Sequence, residues 1–175
     1  MSSPAVVLVG PPGAGKSTVA ALLGEWLGLD VRDTDTDVEH TAGTSIADLF
    51  IDQGEPAFRA LERAAVARAL AEHDGVLALG GGAVLDPASR QLLDGQTVVF
   101  LDVGIGDAAR RIGFNRDRPL LIGNPRGQWL RLMADRRPVY ESVASCVVST
   151  DGRTAQEVAS AVLAALDHLG PGERA

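Results

Sequence analysis

The chain has 175 residues, enough for one domain with a proper core and too few for two ordinary ones. Its 46% hydrophobic and 22% charged residues are ordinary for a soluble globular protein, and a formal net charge of −7 argues against binding nucleic acid or a membrane through a basic surface. No apolar run approaches membrane-spanning length, Met1-Ser2-Ser3-Pro4 lacks the layout of a signal peptide, and the single Cys146, in an apolar run, can form no internal disulfide. The expectation is a cytoplasmic protein with a buried small thiol.

In chain order, residues 5–10 give the first strand, with Val6-Val7-Leu8-Val9 an apolar β-branched run of the fully buried kind. Gly10-Pro11-Pro12-Gly13-Ala14-Gly15-Lys16-Ser17 follows and matches G-x-x-x-x-G-K-[ST], the phosphate-binding P-loop. Lys16 is the only lysine among 16 basic residues. It remains where a compact point charge must reach β- and γ-phosphates, a task the planar guanidinium fork fits poorly. Residues 17–27 read as a helix with Val19, Leu22, Leu23, Trp26 and Leu27 on one stripe, which places Trp26 in the core. Strand, glycine loop and helix N-terminus in that order aim free N–H groups at an anion. A bound nucleoside triphosphate is expected, with the Ser17 hydroxyl offered to Mg2+.

A second strand over 29–33 ends in Asp33-Thr34-Asp35. Read as alternate strand residues, the two carboxylates share a face beyond the carboxyl edge of the sheet. There one can hold magnesium waters and the other deprotonate an acceptor hydroxyl. Such residues equally cap a following helix, with Asp37 a candidate cap. Helices are predicted over 36–41, 45–53 and 56–72, the last opened by Pro56. On it Phe58, Leu61 and Ala65 form an apolar stripe, while Arg59 and Glu62 face together. That pair reads either as a solvated surface ion pair or as a carboxylate fixing an arginine for a bidentate grip on an anion.

A strand over 75–79 leads into Gly80-Gly81-Gly82, which lets a ligand approach the backbone and supplies N–H donors without side-chain bulk. A helix over 87–93, a strand over 97–102 and a helix over 106–113 follow. The polar stretch 114–126 is a candidate lid. Arg116 and Arg118 lie within it and Arg110 and Arg111 just before it, and a lid arginine can meet the charge of a leaving phosphoryl group. A helix over 127–142 carries Trp129, placed near the base of the lid, and Arg136-Arg137-Pro138-Val139-Tyr140. A strand over 145–149 and a helix over 154–169 complete the chain, with Gly170-Pro171-Gly172 ending that helix. Short apolar strands alternating with longer amphipathic helices mean a mostly parallel sheet covered on both faces, in one domain over 1–175.

The P-loop, Asp33-Thr34-Asp35, Phe58-Arg59-x-x-Glu62, Gly80-Gly81-Gly82, Arg118-Pro119-Leu120-Leu121 and Arg136-Arg137-Pro138-Val139-Tyr140 together resemble the shikimate kinase family, over nearly the whole chain. The resemblance implies an α/β fold of the P-loop NTPase class. It would be a three-layer α/β/α sandwich with a five-stranded parallel sheet, a substrate-binding subdomain near 34–62 and a lid near 113–126. It also implies ATP- and Mg2+-dependent phosphorylation of the shikimate 3-hydroxyl, in aromatic amino-acid biosynthesis. By that resemblance Gly13, Ala14, Gly15, Lys16, Ser17 and Thr18 hold the ATP phosphates. Ser17 holds one Mg2+, and Asp33 a water on it. Asp35 binds the shikimate hydroxyls as the candidate base, and Arg59 and Arg136 clamp the carboxylate. Gly81, flanked by Gly80 and Gly82, touches the substrate, and Arg118 is the lid arginine that meets ATP. Arg111 lies beside adenine, and Arg153 is assigned the same role. Lys16, Asp35 and Arg118 would be the catalytic set, in a monomer whose partners are the small molecules ATP and shikimate. A gluconate-type or other small-metabolite kinase, a nucleoside monophosphate kinase and a non-catalytic nucleotide-binding regulator share the loop and are the competing readings.

Overall fold

The computed structural model describes residues 2–113 and 123–169. Val6–Val9 forms β1 at the centre of an all-parallel five-stranded sheet of order β2-β3-β1-β4-β5. Its neighbours are β3 (Val76–Ala78) and β4 (Val98–Asp102), and Leu8 stands opposite both Ala78 and Val99. β2 (Val31–Asp33) and β5 (Cys146–Ser149) are the edges. Position in the sheet decides exposure. Every residue of β1 is buried, as a central parallel strand covered on both faces requires, whereas in β5 only Val148 is fully buried and Val147 is 52% exposed. Cys146 opens that edge strand and is therefore half-buried, not the buried thiol expected.

The helices are α1 (Lys16–Leu27), α2 (Thr34–Ala42), α3 (Ile46–Gln53), α4 (Glu55–Glu72), α5 (Pro87–Leu93), α6 (Ile105–Ile112), α7 (Pro125–Val143) and α8 (Ala155–His168). The chain leaves β1 toward β2 on one side and later crosses β1 to reach β4 and β5 on the other. With right-handed crossovers, opposite directions put helices on opposite faces. Accordingly α1 packs with α8, while α4, α5 and α7 gather around a 3-10 turn at Ala83–Leu85. A separate small cluster of Val38, Leu49, Phe58 and Ala65 ties α2, α3 and α4 together, with the Phe50 and Phe58 ring centroids 4.8 Å apart.

Trp26 is not in the core; it is 43% exposed. The buried arc of α1 runs through Val19, Ala20, Leu23 and Gly24, and a Cβ on Gly24 would strike Val31. That close approach fixes the helix rotation and leaves Trp26 about a quarter turn away, in the last turn.

Candidate active site

Between β1 and α1 the loop turns through Gly13 and Gly15, at φ 86° and 84°. Gly13 packs so closely on Ile112 and Ala108 that no side chain fits there. Lys16 Nζ donates to the carbonyls of Gly10 (2.7 Å) and Pro11 (3.1 Å), which holds the ammonium over its own loop. Ser17 Oγ donates to Asp33 Oδ2 (2.8 Å), and Asp33 Oδ1 accepts from the Asp35 amide (2.9 Å). Asp33 is thus both the end of β2 and the N-cap of α2.

Two expectations change here. The strand stops at Asp33 and Asp35 lies in the first turn of α2, so a helical turn and not the pleat relates the two carboxylates. Asp37 is not the cap; it pairs with Arg32 Nε at 2.7 Å. The Ser17 hydroxyl and Asp33 carboxylate are hard oxygen donors and fit a magnesium ion. Among the described residues no group of three or more His, Cys, Asp or Glu could hold a metal. A two-donor set of this kind suits an ion that keeps phosphate and water ligands.

Beside the loop opens a cavity of about 550 Å³, lined by Pro12, Asp35, Arg59, Glu62, Trp129 and Arg136 with Gly81 and Gly82. The triple-glycine turn follows β3 and is the surface on which the side chains of three helices converge. A Cβ on Gly80 would collide with Asp35 and lie 2.9 Å from Glu62 Oε2. One on Gly81 would lie 3.1 Å from the Pro12 ring and 3.5 Å from Arg136 Nη1, and one on Gly82 would strike the Arg59 guanidinium. Without Cβ atoms the turn lets these side chains close directly on its backbone. The Gly80 amide donates to Thr34 Oγ1 (3.0 Å), while those of Gly81 and Gly82 make no hydrogen bond among the described residues.

Arg59 Nη1 donates to Glu62 Oε1 at 2.7 Å, with Glu62 only 3% exposed. This is no solvated surface pair. The spacing shows that the two face together, but only the fold shows that the glycine turn covers them. Burial pushes the Glu62 carboxyl above the usual carboxylate range, Arg59 and Arg136 pull it back, and Asp35 adds to the rise. Arg136 is buried as well, and Arg59 also lies over the Phe58 ring, 5.1 Å from its centroid.

Arg111 of α6 donates to the Gly13 carbonyl (3.1 Å) and to Oγ1 and the carbonyl of Thr150 (both 2.9 Å). It joins the P-loop to the loop after β5. Arg153 is exposed in that same loop, its amide donating to Thr150 O (3.3 Å). Arg116 and Arg118, with most of the segment expected as a lid, lie outside the described residues. Trp129 stands one turn into α7, 2% exposed, with Nε1 3.4 Å from the Pro12 carbonyl. In the sequence Thr34 and Tyr140 stand out only as members of their motifs, not as separate site residues. The signal for Tyr140 was its place four residues after Arg136, which puts both on one helix face. A second cavity of about 540 Å³ lies at the opposite edge of the sheet, around Arg90, Gln96 and Ser145, and touches none of these groups.

A phosphate loop hydrogen-bonded to Asp33, beside a cavity lined by Asp35 and two arginines, is the working part of a P-loop phosphotransferase acting on a small acceptor. The comparisons with known proteins narrow that class. The family model for shikimate kinase matches residues 12–167, and the chain belongs to that family. It is 58% identical over 167 residues to the shikimate kinase of Streptomyces avermitilis, spanning 95% of this chain and 98% of that one. To the shikimate kinase of Streptomyces coelicolor it is 57% identical over the same shares. The structure of shikimate kinase from Acinetobacter baumannii in complex with shikimate superimposes with a TM-score of 0.90 at 32% identity, covering 98% of this chain and 96% of that one. The fold class expected from the sequence is the one observed.

Proposed function

We propose that this protein transfers the γ-phosphoryl group of ATP to the 3-hydroxyl of shikimate, in the biosynthesis of aromatic amino acids. The observation that carries the acceptor is the meeting of Arg59 and Arg136, from different helices, on one glycine turn beside Asp35. Two guanidinium groups suit a carboxylate, and a carboxylate side chain nearby suits a hydroxyl on the same small ring. A neutral sugar or polyol would leave the arginines without an anion, which disfavours it. The Acinetobacter relative bound to shikimate supports the same acceptor.

The residues have separable roles. The amides of residues 13–18 and Lys16 hold the phosphates, with Lys16 exchanging its loop carbonyls for β- and γ-oxygens. Ser17, and Asp33 through water, would hold one Mg2+, which when bound neutralises charge on the β- and γ-phosphoryl oxygens. Asp35 orients the acceptor hydroxyl and takes its proton as the oxygen–phosphorus bond forms and the bond to ADP breaks. Arg118 from the lid meets the transferring group, and Arg111 and Arg153 flank the adenine side. Residues 34–62 form the acceptor-binding part of a single chain that needs no partner subunit to complete the site.

The test is ADP release by the purified protein with ATP and Mg2+, against shikimate, gluconate, AMP or no acceptor. Turnover with shikimate alone is expected, and Asp35→Asn should lower kcat by roughly 10²- to 10⁴-fold. Turnover with gluconate or AMP in its place would overturn the arginine clamp, and none with any acceptor would leave a nucleotide-binding regulator.

A further inference from the structure

We propose that Tyr140 is a positioning residue for the acceptor: its hydroxyl fixes the triple-glycine turn on which both arginines rest. The proposal rests on the acceptor reading above. Tyr140 is fully buried on α7, and its Oη donates to the Gly81 carbonyl at 2.5 Å. The ring stacks on Phe100 of β4, with centroids 5.0 Å apart and planes at 25°. Arg136, one turn earlier on the same helix, faces the phenol oxygen. Burial pushes the phenol above its ordinary value, so it stays protonated and remains a donor.

The consequence comes from the planarity of the peptide bond. The Gly81 carbonyl and the Gly82 N–H belong to one planar trans unit and point in opposite directions. A hydroxyl that holds the carbonyl therefore aims the Gly82 N–H away from Tyr140, where Gly82 lines the acceptor cavity. From the other end Thr34 Oγ1 holds the Gly80 N–H. Glycine on both sides of the unit gives the backbone no steric reason to keep this orientation, since glycine visits mirror-image conformations at little cost. The phenol supplies the reason. If the unit rotates, the Gly82 amide turns from the cavity and the surface against which Arg59 lies is lost.

Tyr140→Phe removes the hydroxyl and keeps the ring. Steady-state kinetics should show KM for shikimate raised about tenfold, KM for ATP unchanged and kcat within about threefold, because the lost contact acts on acceptor binding alone. A shikimate KM within about twofold of the parent would overturn the proposal. Phe100→Leu serves as the packing control: it loosens the stack and keeps the hydroxyl, so Tm should fall with shikimate KM near the parent value. If it raises that KM as much as Tyr140→Phe does, packing positions the turn and the proposal fails. Amide NMR provides a readout that needs no acceptor. The Gly81 and Gly82 cross-peaks should move or broaden in Tyr140→Phe while that of Gly15 stays, and unmoved peaks would sink the idea. Should the parent protein not phosphorylate shikimate at all, the acceptor reading fails and the spectra still decide whether the hydroxyl sets the turn.

Discussion

Glu62 places a largely buried carboxylate at the wall of the cavity, with Arg59 as its hydrogen-bond partner. Removing either partner strands the other, so the pair contributes orientation more than stability. The protonation equilibrium gives this a sign. Because burial raises the folded-state pKa of Glu62, the folded chain holds that proton more tightly than the unfolded chain does. The resulting stabilisation is fully present below the ordinary Glu pKa and is lost as pH rises through the raised folded value. Glu62→Gln has no such proton to lose. The parent should therefore lose Tm relative to the variant as pH rises from about 4 to about 7, read by thermal melts across the series. A difference independent of pH would show that Glu62 ionises as freely in the folded chain as in the unfolded one.

At the scale of elements, local chemistry places most helix starts well and the passage from strand straight into helix less well. Asp86, before Pro87, accepts from the amides of Ala88 (2.9 Å) and Ser89 (3.1 Å) to cap α5, and Arg63 of α4 donates to it at 2.5 Å. Thr154 and Glu157 form a reciprocal capping box on α8. Replacing Asp86 with Ala should cost about 1 kcal/mol, or about 2–4 °C in Tm for a chain of this size. An unchanged Tm would mean the cap and its arginine contribute nothing. Asp33 is the harder case. The strand stops at Asp33 as predicted, but the two carboxylates are not the alternate strand residues they read as: the Asp33 side chain accepts from the Asp35 amide, which starts a helix at Thr34 and puts Asp35 in its first turn. The catalytic assignment of Asp35 did not depend on the pleat. Its direction did, and a three-residue strand is too short for periodicity to settle whether alternation runs past its end.

For the whole molecule, the buried strand runs, the glycine loop and the alternation of elements were readable, and they suffice for the class of fold. The sheet order was not, because β1, β3 and β4 all read as the same apolar run and nothing local says which pairs with which. Nor was the burial of Glu62, Arg136 and Tyr140, which exists only once α4 and α7 meet the glycine turn. The two tryptophans show the same limit, since Trp26 proves exposed and Trp129 buried against the P-loop. Their environments make an optical assay. Shikimate titrated into the protein should change the emission of Trp129, which lines the cavity, and leave Trp26 silent. Trp129→Phe should abolish the signal and Trp26→Phe preserve it; the reverse would place the acceptor elsewhere.

Lys16 closes its ammonium over two carbonyls of its own loop, and it carries the only ε-amine in the chain. Amine-directed acylating reagents therefore meet, apart from the α-amine, a single amine, and it is the P-loop lysine. Modification stoichiometry becomes a direct count of accessible P-loops. A nucleotide that engages Lys16 will protect it, and the protein offers no other lysine to blur the count.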